Sequence, residues 1–187
     1  MRNPNRRVAL VNAAIEVLAR EGARGLTFRA VDQEAEVPNG TASNYFASRD
    51  DLLRQVGEHV HVRLSPDARR LAEVAAGPPD RSVAVRLLQE LLEQRLQVDR
   101  TGYLALLELR LEATRRPELQ AALTRTISES LERNVRFHLD AGLPGDRTTA
   151  VSLYLALSGL VVERLTLPDV LPEAEVAEVI KALVERA

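Results

Sequence analysis

From Thr27 to Leu53 the chain reads TFRAVDQEAEVPNGTASNYFASRDDLL, and the fold follows from how that stretch is punctuated. Thr27 stands where an N-cap would, opening a short helix at Phe28-Arg29-Ala30-Val31 that runs to about Ala35. Glu36-Val37-Pro38 breaks it, and Asn39 opens a third helix from Asn39 to Tyr45. Ser48-Arg49-Asp50-Asp51 then starts the next, with a capping serine and two acids where they suit the helix dipole. Two short helices around a tight turn have the length of a helix-turn-helix. That motif needs a first helix that packs and a second that turns polar side chains towards a major groove. Val31 and Ala35 supply the packing face, Val37 seats the turn, and Ala42 and Phe46 anchor the second helix. Asn39, Thr41, Ser43, Asn44 and Tyr45 are left outward, and Gly40 permits close backbone approach.

Outward from this stretch the sequence reads as helix in both directions. Upstream, Val8, Val11, Ala14, Ile15 and Leu18 form one stripe from about Asn5 to Glu21, ended by Gly22 and Gly25. Downstream, a helix from Arg49 to about Leu64 resumes after Ser65-Pro66, where Ser65 can cap, and stops at Gly77-Pro78-Pro79. Further helices are expected at Asp80–Val98, Thr101–Arg115, Pro117–Ala141, Asp146–Leu165 and Glu173–Arg186. That makes about nine helices and no strand, an all-α chain.

Composition narrows the class. The 187 residues are 45% hydrophobic and 28% charged, too apolar for a disordered chain. Without cysteine there is neither a disulfide framework nor a thiolate metal site. The longest uncharged stretch, Thr148 to Val162, falls short of the roughly 20 residues that cross a bilayer, so no membrane is expected and the chain reads as cytoplasmic. A formal net charge of −2 excludes coating nucleic acid by bulk charge. The charge is uneven, however: residues 1–49 carry 7 basic and 5 acidic side chains, and residues 50–187 carry 18 and 22. Arg2, Arg6 and Arg7 form a short basic arm suited to phosphates or a minor groove.

The quoted residues resemble the DNA-binding domain of the TetR (tetracycline-repressor-like) family. That family opens its second helix with Thr, places Gly-Thr early in the recognition helix, closes it with an aromatic pair, and continues Ser-Lys-acid-x-Leu-Leu. The matching residues here are Thr27, Gly40-Thr41, Tyr45-Phe46 and Ser48-Arg49-Asp50-Asp51-Leu52-Leu53. The motif covers about residues 5–56, and the helix layout extends the likeness to the whole chain. Three positions differ: Glu36 replaces the usual turn glycine, Ser43 a frequent mid-helix tyrosine, and Arg49 the lysine. A left-handed Glu36 would be strained by roughly 1 kcal/mol. The resemblance implies that Asn39, Thr41, Ser43 and Asn44 face base edges and that Thr27, Arg29, Tyr45 and Arg49 hold phosphates. Thr27 suits a helix cap equally well, Tyr45 a packing role, and Arg29 a solvated charge. The implied division is a DNA-binding domain at 1–48 and an effector-binding and dimerisation domain at 49–187.

In the larger part the resemblance implies a ligand pocket. Helix phase nominates Leu88 and Leu92, then Tyr103, Leu107, Glu108 and Leu111, then Ile127, Leu131, Asn134 and His138 as its lining. Outside the head only Tyr103, Phe137 and Tyr154 are aromatic, which favours an aliphatic or alicyclic effector such as an acyl chain, lactone or terpenoid over a planar dye. The Asp146–Leu165 helix is apolar nearly all round, and Gly159 permits a close partner. By resemblance it pairs with the last helix in a homodimer, with Leu153, Leu157, Leu160, Val161, Val176, Ile180 and Leu183 at the interface. Such a dimer reads a palindromic double-stranded operator.

An enzyme is not expected. His59 and His61, two apart on a helix, point nearly opposite ways, and no nucleophile, P-loop or dinucleotide motif appears. No cofactor and no metal are implied. The expected function is a ligand-responsive transcriptional regulator, a repressor by its resemblance. The alternative is a helix-turn-helix protein that acts through protein contacts without specific DNA binding.

Overall fold

The computed structural model describes residues 3–77 and 80–186, so Arg2 of the basic arm and the Pro78-Pro79 stop lie outside the described residues. Helices α1 (Pro4–Gly25), α2 (Phe28–Glu34), α3 (Thr41–Tyr45), α4 (Arg49–Arg63) and α5 (Ala68–Ala76) come first. α6 (Arg81–Glu93) continues into a π-helical turn, Gln94–Val98. α7 (Arg100–Ala113), α8 (Pro117–Asp140), α9 (Arg147–Thr166) and α10 (Glu173–Glu185) complete the chain, with no strand among the described residues. The segment from Arg49 onward appears as two helices, and the second is capped by Asp67, which accepts from Arg69 N at 2.8 Å, rather than by Ser65.

Local chemistry sets most helix ends. The side chains of Thr27, Ser48, Asp80 and Asp146 cap α2, α4, α6 and α9, each satisfying an otherwise unpaired N–H for about 1 kcal/mol. Gly22, at φ 69°, breaks the regular run of α1. Glu36 takes φ 52°, so the turn keeps the left-handed geometry usually given to glycine.

The chain forms two compact units, Met1–Leu64 with Thr101–Ile127 and Ser65–Arg100 with Ser128–Ala187. In the first, Leu10, Ile15 and Leu18 of α1 are fully buried with Val31, Ala42, Phe46, Leu52, Leu53 and Val56 of α2, α3 and α4. Leu109 of α7 and Leu119 and Leu123 of α8 close that core. In the second, Val74, Leu87, Leu143, Leu153 and Val184 bring α5, α6, the loop after α8, α9 and α10 together.

Helix α9 is 20 residues long, longer than its uncharged stretch, and by length and composition alone it passes for a membrane span, as the core helix of a soluble protein also does. The residues expected at its dimer interface lie on the face that packs within one chain. Leu153, Leu157, Leu160 and Val161, with Val176 and Ile180 of α10, are all less than a tenth exposed within one chain, and Leu183 is half-buried. Their surface is already taken by their own core. The outer face carries Leu155, 62% exposed, and Val162, with an open Gly159 between them. A helix apolar on every side gives no period from which its inner face could be chosen.

Candidate nucleic-acid interface and effector cavity

The recognition helix α3 is only five residues long and has no side-chain cap of its own. It is held from outside. Asp32, on α2 and 1% exposed, accepts from Gly40 N through Oδ2 and from Ala42 N through Oδ1, both at 2.7 Å. One buried carboxylate therefore fixes two of the orphan N–H groups at the start of α3 with charge-assisted bonds. Gly40, at φ 89°, supplies the left-handed residue that lets the chain turn into the helix.

Beyond that anchor the polar residues face outward. Asn39, Gly40, Ser43 and Asn44 are exposed and Thr41 is half-buried. Their side chains fold back on the backbone: Thr41 and Ser43 hydroxyls donate to Pro38 and Gly40 carbonyls, and Asn44 Nδ2 donates to Gly40 O at 3.0 Å. The Asn44 carbonyl oxygen keeps its accepting capacity for a donor such as the adenine amino group.

The phosphate-holding set divides. Arg29 is exposed. Thr27 caps α2 by accepting from Ala30 N at 3.1 Å. Tyr45 is half-buried against the core, and the Arg7 guanidinium lies 5.8 Å from the ring centroids of Tyr45 and Phe46 while donating to Gln55 at 2.7 Å. Of the basic arm, Arg6 is exposed and Arg7 is thus engaged internally. Arg49 is also tied inward: it donates to the Leu26 carbonyl at 3.2 Å and to that of Ala23, and lies 3.9 Å from Glu112. It joins the start of α4 to the α1–α2 connection, a structural bond that the implied phosphate role did not include.

The nominated effector residues fall in both compact units. In the first, Glu108 accepts from Ala23 N at 3.1 Å, Leu111 is 58% exposed, and Tyr103, Leu107 and Ile127 are half-buried. Glu108 is thereby accounted for as a tether of the α1 break, and Leu111 is too exposed to line a closed pocket. In the second unit, Leu131 is half-buried, and Leu92 lines a groove with Val176 and Ile180. Leu88, Asn134 and His138 meet at a cavity of about 90 Å³ formed by α6, α8 and α9. Its walls are mainly apolar, with Leu87, Leu91, Phe137, Leu153 and Leu157. His138 donates through Nε2 to the Pro144 carbonyl at 2.9 Å, so this ring is satisfied within the fold.

Residues 79–186, more than half of the chain, match the family model described as tetracyclin repressor-like, C-terminal domain. Residues 10–56 match that of bacterial regulatory proteins, tetR family. The chain belongs to the TetR family. The nicotine-responsive transcriptional repressor HdnoR of Paenarthrobacter nicotinovorans is 25% identical over 159 residues, 84% of this chain and 79% of that protein. A TetR-family member of Streptomyces coelicolor A3 superposes with a TM-score of 0.70 at 30% identity, covering 96% of this chain and 98% of that one. The multidrug-binding protein EbrR, complexed with ethidium, superposes with a TM-score of 0.69 at 31% identity, covering 97% and 99%.

TetR-family regulators are DNA-binding proteins and not enzymes, which places this chain in transcription regulation. Against the TetR pattern, sequence reasoning passed over two residues. Asp32 was missed because its partners are amides eight and ten residues away, visible only once α2 and α3 pack. Arg95 lines the cavity between α6, α8 and α9 although it was not nominated. It continues the Leu88–Leu91 stripe by one more turn, a signal that the helical period did contain.

Proposed function

We propose that this TetR-family protein is a repressor that binds a palindromic operator as a homodimer, in the cytoplasm, and is released by a small aliphatic or alicyclic effector. The observation that carries the reading is the outward polar set Asn39, Ser43 and Asn44 on a helix whose start is locked by Asp32. An exposed polar helix held this rigidly is suited to reading base edges, with Thr41 and Gly40 at its entry and Arg29 beside it for phosphate. Residues 1–48 do the reading in this scheme, and residues 49–187 sense and dimerise.

The dimer is supported by the exposed Leu155, Gly159 and Val162 face of α9, which a second copy would cover. The effector is supported by the cavity in the second unit, whose aromatic lining is limited to Phe137 and Tyr154. EbrR is complexed with ethidium and with proflavin in two solved structures and with imidazole in another. The cavity of this chain is narrower ground for a planar dye, and no acidic residue lines it to meet a cation.

Selection of bound sequences from a random double-stranded pool tests the reading. The expected outcome is a two-fold symmetric site with half-sites about one helical turn apart, bound less tightly as salt rises. An asymmetric site would remove the dimer from the reading. Failure to enrich any sequence would leave a helix-turn-helix that acts through protein contacts.

A further inference from the structure

The cavity between α6, α8 and α9 has a chemical asymmetry that the helix periods do not reveal. Ten of its fourteen lining residues are apolar and none is acidic, while Arg95, Asn134 and Tyr154 bring polar groups to the same wall space. Neither the Asn134 amide nor the Tyr154 hydroxyl has a hydrogen-bond partner among the described residues, and both side chains are half-buried. Both groups keep contact with solvent and so hold hydrogen-bonding capacity open to a ligand that enters the cavity. Arg95 sits in the π-helical turn Gln94–Val98, where Asp99 N donates to Gln94 O at 3.0 Å, five residues back. Such turns are rare and occur often at functional sites.

We propose that the effector is a small aliphatic or alicyclic carboxylic acid, held by its carboxylate as well as its hydrocarbon body. This rests on the effector reading given above and names the chemistry of that same site. A carboxylate only accepts hydrogen bonds, and the three polar residues all offer N–H or O–H donors. Arg95 presents five N–H groups, enough to keep a bond to the protein and still grip a ligand. Its guanidinium offers a carboxylate a charged donor in the half-buried site, whereas no lining acid offers a cationic ligand a partner. Leu88, Leu91 and Leu157 leave the hydrocarbon body an apolar surface. At about 90 Å³ the cavity has the volume of about three waters at liquid density, which suits a small acid and is well below a fused three-ring dye.

The test is calorimetric titration of the full chain with three ligands of one shape: cyclohexanecarboxylate, cyclohexanemethanol and cyclohexylmethylamine. The acid is expected to bind about tenfold tighter than the alcohol, with the amine weakest. In Arg95→Gln the ratio of acid to alcohol affinity falls to near unity, and Arg95→Lys restores part of it. Should Arg95→Gln not fold, Asn134→Leu reads the same ratio from the opposite helix. Equal affinity for acid and alcohol in the unaltered protein, no binding of any of the three, or a ratio that Arg95→Gln leaves intact each overturns the proposal. A parallel operator-release assay separates the two readings. Acid binding with the expected preference but no release of DNA sinks the effector function and leaves the carboxylate site standing.

Discussion

At the start of the recognition helix Thr41, Ser43 and Asn44 tie their side-chain donors to the backbone, whereas in the α6–α8–α9 cavity Asn134 and Tyr154 have no protein partner among the described residues. The contrast is one of completeness. Asp32, Thr41, Ser43 and Asn44 close their bonds within a dozen residues, so α3 holds its form without a ligand. The cavity leaves its polar capacity open and apolar walls around it. A surface that reads a stiff duplex gains from being set in advance, because ordering it at binding would subtract from affinity. A site that senses a small molecule gains from polar groups that only the ligand satisfies, because those bonds discriminate between ligands. Helix α9 repeats the contrast within one element: a complete inner face and an open outer one.

The largest expected effects lie on the two faces of α9. Leu157→Asp places a charge among side chains that are nearly fully buried, at a cost of about 5 kcal/mol, comparable to the net stability of a typical domain. Loss of helical circular dichroism in the cooperative melt is the expected result. Leu155→Asp puts the same charge on the exposed face and should leave the helical signal intact while halving the mass seen by sedimentation. A Leu155→Asp protein that remains dimeric would break the assignment of the open face to a second copy. Next comes the anchor of the head. Asp32→Ala strands the buried Ala42 amide and frees the Gly40 amide at the helix entry, at about 2–4 kcal/mol, so operator affinity should fall roughly a hundredfold. Asp32→Asn keeps one accepting oxygen and should recover part of the loss. Faster amide exchange at Gly40 and Ala42 would show that the loss comes through α3. Unaltered operator affinity in Asp32→Ala would end the positioning role.

What could be read from sequence divides along the same line. Thr27, Ser48 and Asp146 announce helix starts because a cap bonds an amide two or three residues ahead, within reach of a local pattern. Gly22 and Glu36 lie at the turns that the motif spacing requires. The inner face of α9 was illegible because leucine and valine occupy both faces, so only packing decides between Leu155 and Leu157. The inward bonds of Arg49 were hidden for a different reason: a guanidinium near a duplex-facing helix suits a phosphate as well as the carbonyls of Ala23 and Leu26, and the motif does not separate them. Glu108 and Asp32 act through backbone amides that are distant in sequence or hidden between helices, and no periodicity encodes such pairs.

Asn44→Ala sharpens the comparison more gently, since it removes a reader and leaves the anchor. In the free protein Asn44 Nδ2 donates to the Gly40 carbonyl, so base contact exchanges that bond for one to adenine. The expected loss is about 1–3 kcal/mol on the selected operator and close to nothing on unrelated DNA, measured by fluorescence anisotropy at fixed salt. Equal losses on both sequences would move Asn44 from reading bases to general attachment.

The smallest effect tests the one place where the head is under strain. Glu36 holds φ 52°, a conformation that costs a non-glycine residue about 1–2 kcal/mol. Glycine removes that cost but gains about 0.5–1 kcal/mol of extra freedom in the unfolded chain, so the two terms nearly offset. Glu36→Gly should therefore raise the melting temperature by only a degree or two. Glu36→Ala is the sharper control. It removes the same exposed carboxylate and keeps the Cβ, so it retains the strain and should gain nothing. A gain in Ala equal to that in Gly would assign the effect to charge, leaving the turn unstrained. A gain in Gly alone would show that the head tolerates a left-handed glutamate because Asp32 and the packed α2 fix the turn around it.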